Sequence, residues 1–148
     1  MEKIDFSDQY FMKQAFEEAK KALEKNEVPV GAVVVCNKQI IARTHNLTET
    51  LKDATAHAEM LAITAATDYL GGKYLKNCTL YVTLEPCPMC AGAMSWAQIG
   101  RVVFASKDEK RGYSLYQPNL LHPKTEITYG IMADEASELM VSFFKEKR

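Results

Sequence analysis

The chain has 148 residues, 47% apolar and 25% charged, with 18 basic against 19 acidic side chains and a net charge of −1. That length fits one domain over 1–148, and the composition suits a packed core and excludes a disordered or collagen-like chain. No apolar run approaches the roughly 18 residues of a membrane span, and no stretch of 1–26 reads as an export signal, so a cytoplasmic protein is expected. The balanced charge argues against a protein that coats polyanions at large, while leaving room for a local basic face.

Met12, Ala15, Phe16, Ala19, Ala22 and Leu23 share one face of a helix predicted over 7–26, with Ser7 as its N-cap. Pro29 forbids its continuation, and the valine-rich 30–36 and the stretch 38–44, separated by a polar Asn37-Lys38 break, read as a β-hairpin. The alanine-rich 55–69, stopped by Gly71-Gly72, reads as a second helix; 78–84 as a strand; 88–97 as a short helix; and 101–105 as a buried strand. Residues 107–124, broken by Gly112, Pro118 and Pro123, read as a long surface loop. A further strand is expected over 126–131, then a last helix over 134–145 with Ala136, Leu139, Met140, Phe143 and Phe144 on one stripe. Helices alternating with strands after a hairpin predict an α/β domain: three layers, α/β/α, around a mixed central sheet of about five strands.

Four cysteines, Cys36, Cys78, Cys87 and Cys90, need an explanation in a chain with no export signal, where a Cys-x-x-Cys pair more often binds metal or does redox work than staples a fold. Cys87 and Cys90 lie three apart at the start of a helix, a spacing that puts both sulfurs on one side of a turn and suits tetrahedral zinc. The helix N-terminus favours their thiolates. His57 offers a third ligand from another helix, with no obvious fourth, because Cys36 and Cys78 sit among apolar strand residues and read as core. Three protein ligands and an open position describe a catalytic zinc. Glu59, two residues past His57, can reach the same site from the first helical turn and serve as general acid and base. Its bland alternative is an acidic residue favoured by the helix dipole.

His57-Ala58-Glu59 followed by Pro86-Cys87-Pro88-Met89-Cys90 gives the chain its resemblance to the zinc-dependent nucleobase deaminases. More narrowly, it resembles the bacterial tRNA-specific adenosine deaminases through 27–32, His45-Asn46, 55–59, 79–94, 101–104, Asp108 and Lys110, then Gly130-Ile131 and the Phe143-Phe144 helix. The resemblance implies one zinc per chain on His57, Cys87 and Cys90, and a proton carried by Glu59 from zinc-activated water to the ring nitrogen and the departing amine. It implies a base pocket of Val30, Asn46, the Ala58 backbone N–H and Asp108, the wobble adenosine of a tRNA anticodon loop as substrate, and inosine as product. It also implies a homodimer, for which the apolar Trp96 and Met94 are candidate contacts, with Lys110, Arg111, Lys145, Lys147 and Arg148 as candidate phosphate contacts. The loop after Gly112 departs from the family pattern: Gly112-Tyr113-Ser114-Leu115-Tyr116 through Leu121-His122-Pro123-Lys124-Thr125 is shorter, without the usual Gly-Ser segment and Asn-His pair. Two other readings stay open, a deaminase of free guanine, cytosine or cytidine, and a non-catalytic zinc- or RNA-binding module that has no need of Glu59.

Overall fold

A computed structural model describes residues 7–116 and 118–147. Its elements run α1 (Asp8–Glu24), β1 (Gly31–Cys36), β2 (Gln39–His45), α2 (Ala58–Leu70), β3 (Cys78–Leu84), α3 (Pro88–Ala97), β4 (Arg101–Ser106), β5 (Glu126–Tyr129) and α4 (Ala133–Glu146), with a single 3-10 turn at Tyr113–Leu115. The five strands form one sheet in the order β2-β1-β3-β4-β5. β1 is antiparallel to both β2 and β3, whereas β3, β4 and β5 are parallel. The mixed five-stranded α/β/α domain expected from the sequence is what the chain forms.

Strand alternation divides the core between the two faces of the sheet. Ala32 and Val34 of β1, Leu80 and Val82 of β3, and Val102 and Phe104 of β4 pack with α2 and α3. Val33 and Val35, Tyr81, and Val103 and Ala105 pack instead with Phe11, Met12, Ala15 and Phe16 of α1 and Ala136 of α4. β1 starts hard against α1: a Cβ on Gly31 would stand 2.1 Å from the Ala15 carbonyl oxygen, so only glycine fits there. The β1–β2 hairpin turns on Asn37 and Lys38, both at positive φ (52° and 63°), the two-residue geometry whose twist matches its strands.

Two sequence boundaries shift. The second helix starts at Ala58 and not at 55, because Asp53 Oδ1 accepts from the backbone N–H and the hydroxyl of Thr55 and holds that segment in a turn. The stripe expected on α4 is incomplete: Ala136 and Phe143 are buried, but Phe144 is exposed. No helix among the described residues is long and apolar enough to cross a membrane.

Candidate active site

The parallel strand β3 ends at Leu84 and delivers Glu85-Pro86-Cys87 to the N-terminus of α3, at the strand end where open α/β sheets hold their ligands. Cys87 is the N-cap of α3, Pro88 fills its first turn, and Cys90 follows within that turn, fully buried. His57 is the N-cap of α2, with extended backbone (φ −71°, ψ 152°), so its ring leaves the helix axis toward α3. Two helix N-termini thereby converge. Thr44 at the end of β2 donates its hydroxyl to the Ala58 carbonyl at 2.7 Å and ties α2 to the sheet.

The His57 Nδ1 stands 3.6 Å from the Cys87 Sγ and 3.5 Å from the Cys90 Sγ. Among the described residues this triad is the only group of three such side chains whose ligand atoms all lie within 4.8 Å of one another. A tetrahedral ion bonded at about 2.3 Å to sulfur and about 2.05 Å to nitrogen spans an S···N edge of about 3.5 Å, so the spacing fits zinc. The three groups perturb one another's proton affinities. The Cys87 thiol falls to about 4, held down by hydrogen bonding from Cys90 and by His57 against the effect of burial. Cys90 is driven far up by its hydrogen bond to Cys87 and by burial, and His57 is raised by its bond to Cys87. A divalent cation bound there would hold both sulfurs as thiolates.

Glu59, in the first turn of α2 and 4% exposed, lies beside Cys90 but outside the triad. Burial raises its carboxyl to about 7, the range in which a proton can be taken and returned at neutral pH. Cys36 and Cys78 stand opposite each other on β1 and β3, at the far end of β3, and burial together with Cys36 pushes the Cys78 thiol up to about 12.

The candidate pocket residues come from four places: just before β1, just after β2, the first residue of α2 and the turn after β4. Asn46 donates its backbone N–H to the Val30 carbonyl at 3.0 Å, and both side chains are buried. The Asn46 Nδ2 donates to Glu27 Oε1 at 3.4 Å and Thr48 Oγ1 at 3.3 Å. Ala58 is the first residue of α2, where a backbone N–H has no partner within its own helix. Asp108 is half-buried, and its Oδ1 accepts from the backbone N–H groups of Lys110 and Arg111, closing the turn that follows β4.

One expectation about the dimer contacts needs correction. Met94 is completely buried between α3 and the sheet, whereas Trp96, two residues on, is 85% exposed. Lys147 donates to Asn26 Oδ1 and lies over the Phe143 ring, tying α4 to the end of α1. Arg148 lies outside the described residues.

Besides Glu18 on α1, two buried carboxylates escaped the sequence reading. Glu27 accepts from the backbone N–H of Glu49 at 3.0 Å and from the N–H and hydroxyl of Thr50, both at 2.6 Å. Burial alone would raise its carboxyl, but the Thr50 bonds more than offset this and hold it below the usual carboxylate range. Glu85 accepts from the backbone of Asp108 and from Ser114. Both lie one or two residues ahead of a proline, at Glu27-Val28-Pro29 and Glu85-Pro86, inside the stretches 27–32 and 79–94 that carry the family resemblance, but neither residue was singled out.

Residues 6–106 match the cytidine and deoxycytidylate deaminase zinc-binding region. A tRNA-specific adenosine deaminase of Bacillus subtilis (strain 168) is 48% identical over 146 residues, covering 95% of this chain and 91% of its own. A solved structure from a study of A-to-I editing by tRNA:A34 deaminases at the wobble position superposes with a TM-score of 0.82 at 41% identity, over 88% of this chain and 98% of that one. A guanine deaminase structure from Bacillus subtilis matches at 40% identity with a TM-score of 0.64, over 67% of this chain and 64% of its own.

Proposed function

This chain belongs to the zinc-binding cytidine and deoxycytidylate deaminase family, and we propose that it converts adenosine to inosine at the tRNA wobble position, as one domain holding one zinc ion on His57, Cys87 and Cys90. The observation that carries this reading is the convergence of an imidazole, two thiols and a buried carboxylate at the paired N-termini of α2 and α3. The substrate rests on the near full-length similarity to the tRNA-specific adenosine deaminase. Zinc held there supplies the Lewis acidity that makes water a nucleophile near neutral pH.

The chain's own groups do the rest. Val30 and Asn46 bound the base, and the Ala58 N–H donates toward it. Glu59 takes the proton released as water adds to C6 and gives it to the ring nitrogen, then carries the second proton from the new C6 hydroxyl to the departing amine. Water and adenosine yield inosine and ammonia. A nucleotide in an anticodon loop is already partly unstacked, so turning it into the pocket costs less than flipping one from a duplex. Asp108 faces the flanking sugar, and Lys110 and Arg111, both exposed, serve the phosphates. The exposed Trp96 is the anchor of a homodimer contact. A cytoplasmic location follows from the tRNA substrate.

The guanine deaminase similarity makes a free purine the competing substrate. Purified zinc-loaded protein is given an anticodon stem-loop with adenosine, guanosine or cytidine at the wobble position, alongside free guanine and cytidine. Inosine in the adenosine loop alone is the expected result. Ammonia from free guanine or cytidine, with no inosine in the loop, overturns the tRNA reading.

A further inference from the structure

Glu85 is 3% exposed and takes no part in the zinc triad, yet it sits one residue from Pro86 and two from Cys87. Its Oε1 accepts from the Asp108 N–H at 3.1 Å, and its Oε2 accepts from the Ser114 N–H at 3.0 Å and the Ser114 hydroxyl at 2.7 Å. Its own N–H donates to the Ser106 carbonyl at 2.8 Å, and the Tyr113 N–H donates to the Pro86 carbonyl at 2.9 Å. The loop presses onto the carboxylate so closely that a Cβ on Gly112 would lie 2.4 Å from Cδ and 2.5 Å from each oxygen. Gly112 has ordinary backbone angles (φ −64°, ψ 143°), so closeness to Glu85, and not conformation, is what demands glycine.

A buried carboxylate is costly unless its oxygens are filled by donors, and here the donors come from both ends of one loop. Between Ser106 and Ser114 the chain has little regular structure beyond a turn closed by Asp108 and the start of one 3-10 turn, so Glu85 determines where that loop sits. We propose that Glu85 is a positioning residue: it docks the loop carrying Asp108, Lys110 and Arg111 onto the turn carrying Cys87 and Cys90, fixing the distance between the substrate's flanking contacts and the reacting centre. This rests on the assignment of that loop to substrate binding. Ser114 supplies two of the three donors to the carboxylate.

Glutamine has one acceptor oxygen where the carboxylate has two, so Glu85→Gln turns an amino group toward one set of N–H donors. Loss of charge-assisted bonds of this kind is expected to raise KM for the stem-loop about tenfold, with kcat within about threefold and zinc retained. Ser114→Ala, at an exposed position that does not threaten folding, removes one donor and is expected to raise KM about threefold. Amide hydrogen exchange supplies a readout independent of substrate: in Glu85→Gln the amides of Asp108 and Ser114 exchange faster, and in Ser114→Ala the amide at position 114 does, while Val82 and Val103 in the sheet do not change. A fall in kcat with KM unchanged, zinc loss from folded Glu85→Gln, or unaltered exchange at Asp108 and Ser114 overturns the proposal. If the wild-type protein forms no inosine, the substrate assignment fails, and exchange still decides whether Glu85 docks the loop.

Discussion

On one side of the sheet, α2 and α3 present Ala58, Ala62, Ala66, Ala91 and Ala97; on the other, α1 presents Phe11, Met12 and Phe16. Small side chains let two helices lie close to the strands and to each other, so their N-termini meet and the ligand side chains can touch. The α1 face instead carries ionic ties. Asp8 receives two 2.7 Å hydrogen bonds from Arg101 and a third from the Tyr81 hydroxyl, and Glu18 pairs with Lys21, Arg43 and His45. Chemistry has been concentrated on the alanine face and anchoring on the aromatic one, which implies that the two can be damaged separately.

The largest separation is expected from Cys90→Ala, which takes one ligand from a triad that has no spare. Metal content should fall from about one zinc per chain to near zero, and turnover with it, as read by elemental analysis beside an inosine assay. Cys36→Ala should leave the metal in place. Next in size is Glu59→Gln, which keeps the triad intact: turnover should drop by about 10²–10⁴-fold with zinc and stem-loop affinity retained. Near-normal turnover at saturating substrate defeats the proton-transfer role.

The smallest effect belongs to the anchoring face. Asp8→Asn is expected to cost about 1–2 kcal/mol in denaturant unfolding at neutral pH while kcat stays at the wild-type value. The Arg101 bonds hold the Asp8 carboxyl below its ordinary 3.8, against burial and with help from Tyr81. A folded-state value below the unfolded one means the unfolded chain takes up the proton first on acidification. The Asp8 contribution is therefore complete above the ordinary value and fades as pH falls through the folded one. The gap between wild type and Asp8→Asn should narrow below about pH 4, and a constant gap would sever it from ionisation.

Much of this was legible in the sequence, because the signals are local. β-prone apolar runs in 78–84 and 101–105, the Asn37-Lys38 break, and the paired His-x-Glu and Cys-x-x-Cys segments each announce themselves within a few residues. Glu27 and Glu85 were not legible, since their partners are mostly backbone N–H groups and hydroxyls 22 to 29 residues away, and a backbone donor leaves no mark in a sequence. The start of α2 was misread because Asp53 competes for Thr55. Met94 was within reach: it lies three and four residues past Ala91 and Cys90, on the inward side of α3, whereas Trp96 does not.

The pairing of β1 with β3 sets where the candidate ligand side chains stand. Val33 faces Tyr81 and Val34 faces Leu80 in this antiparallel ladder, between segments far apart in the chain. A slip by one residue would exchange the two faces of β3 and carry Cys87 about 3.3 Å along the strand direction. That displacement is nearly the whole 3.5 Å separation between the His57 ring and the Cys90 sulfur. A misregistered sheet could not gather imidazole and thiols around one ion. The register of β1 against β3 thus decides whether His57, Cys87 and Cys90 can come together at all.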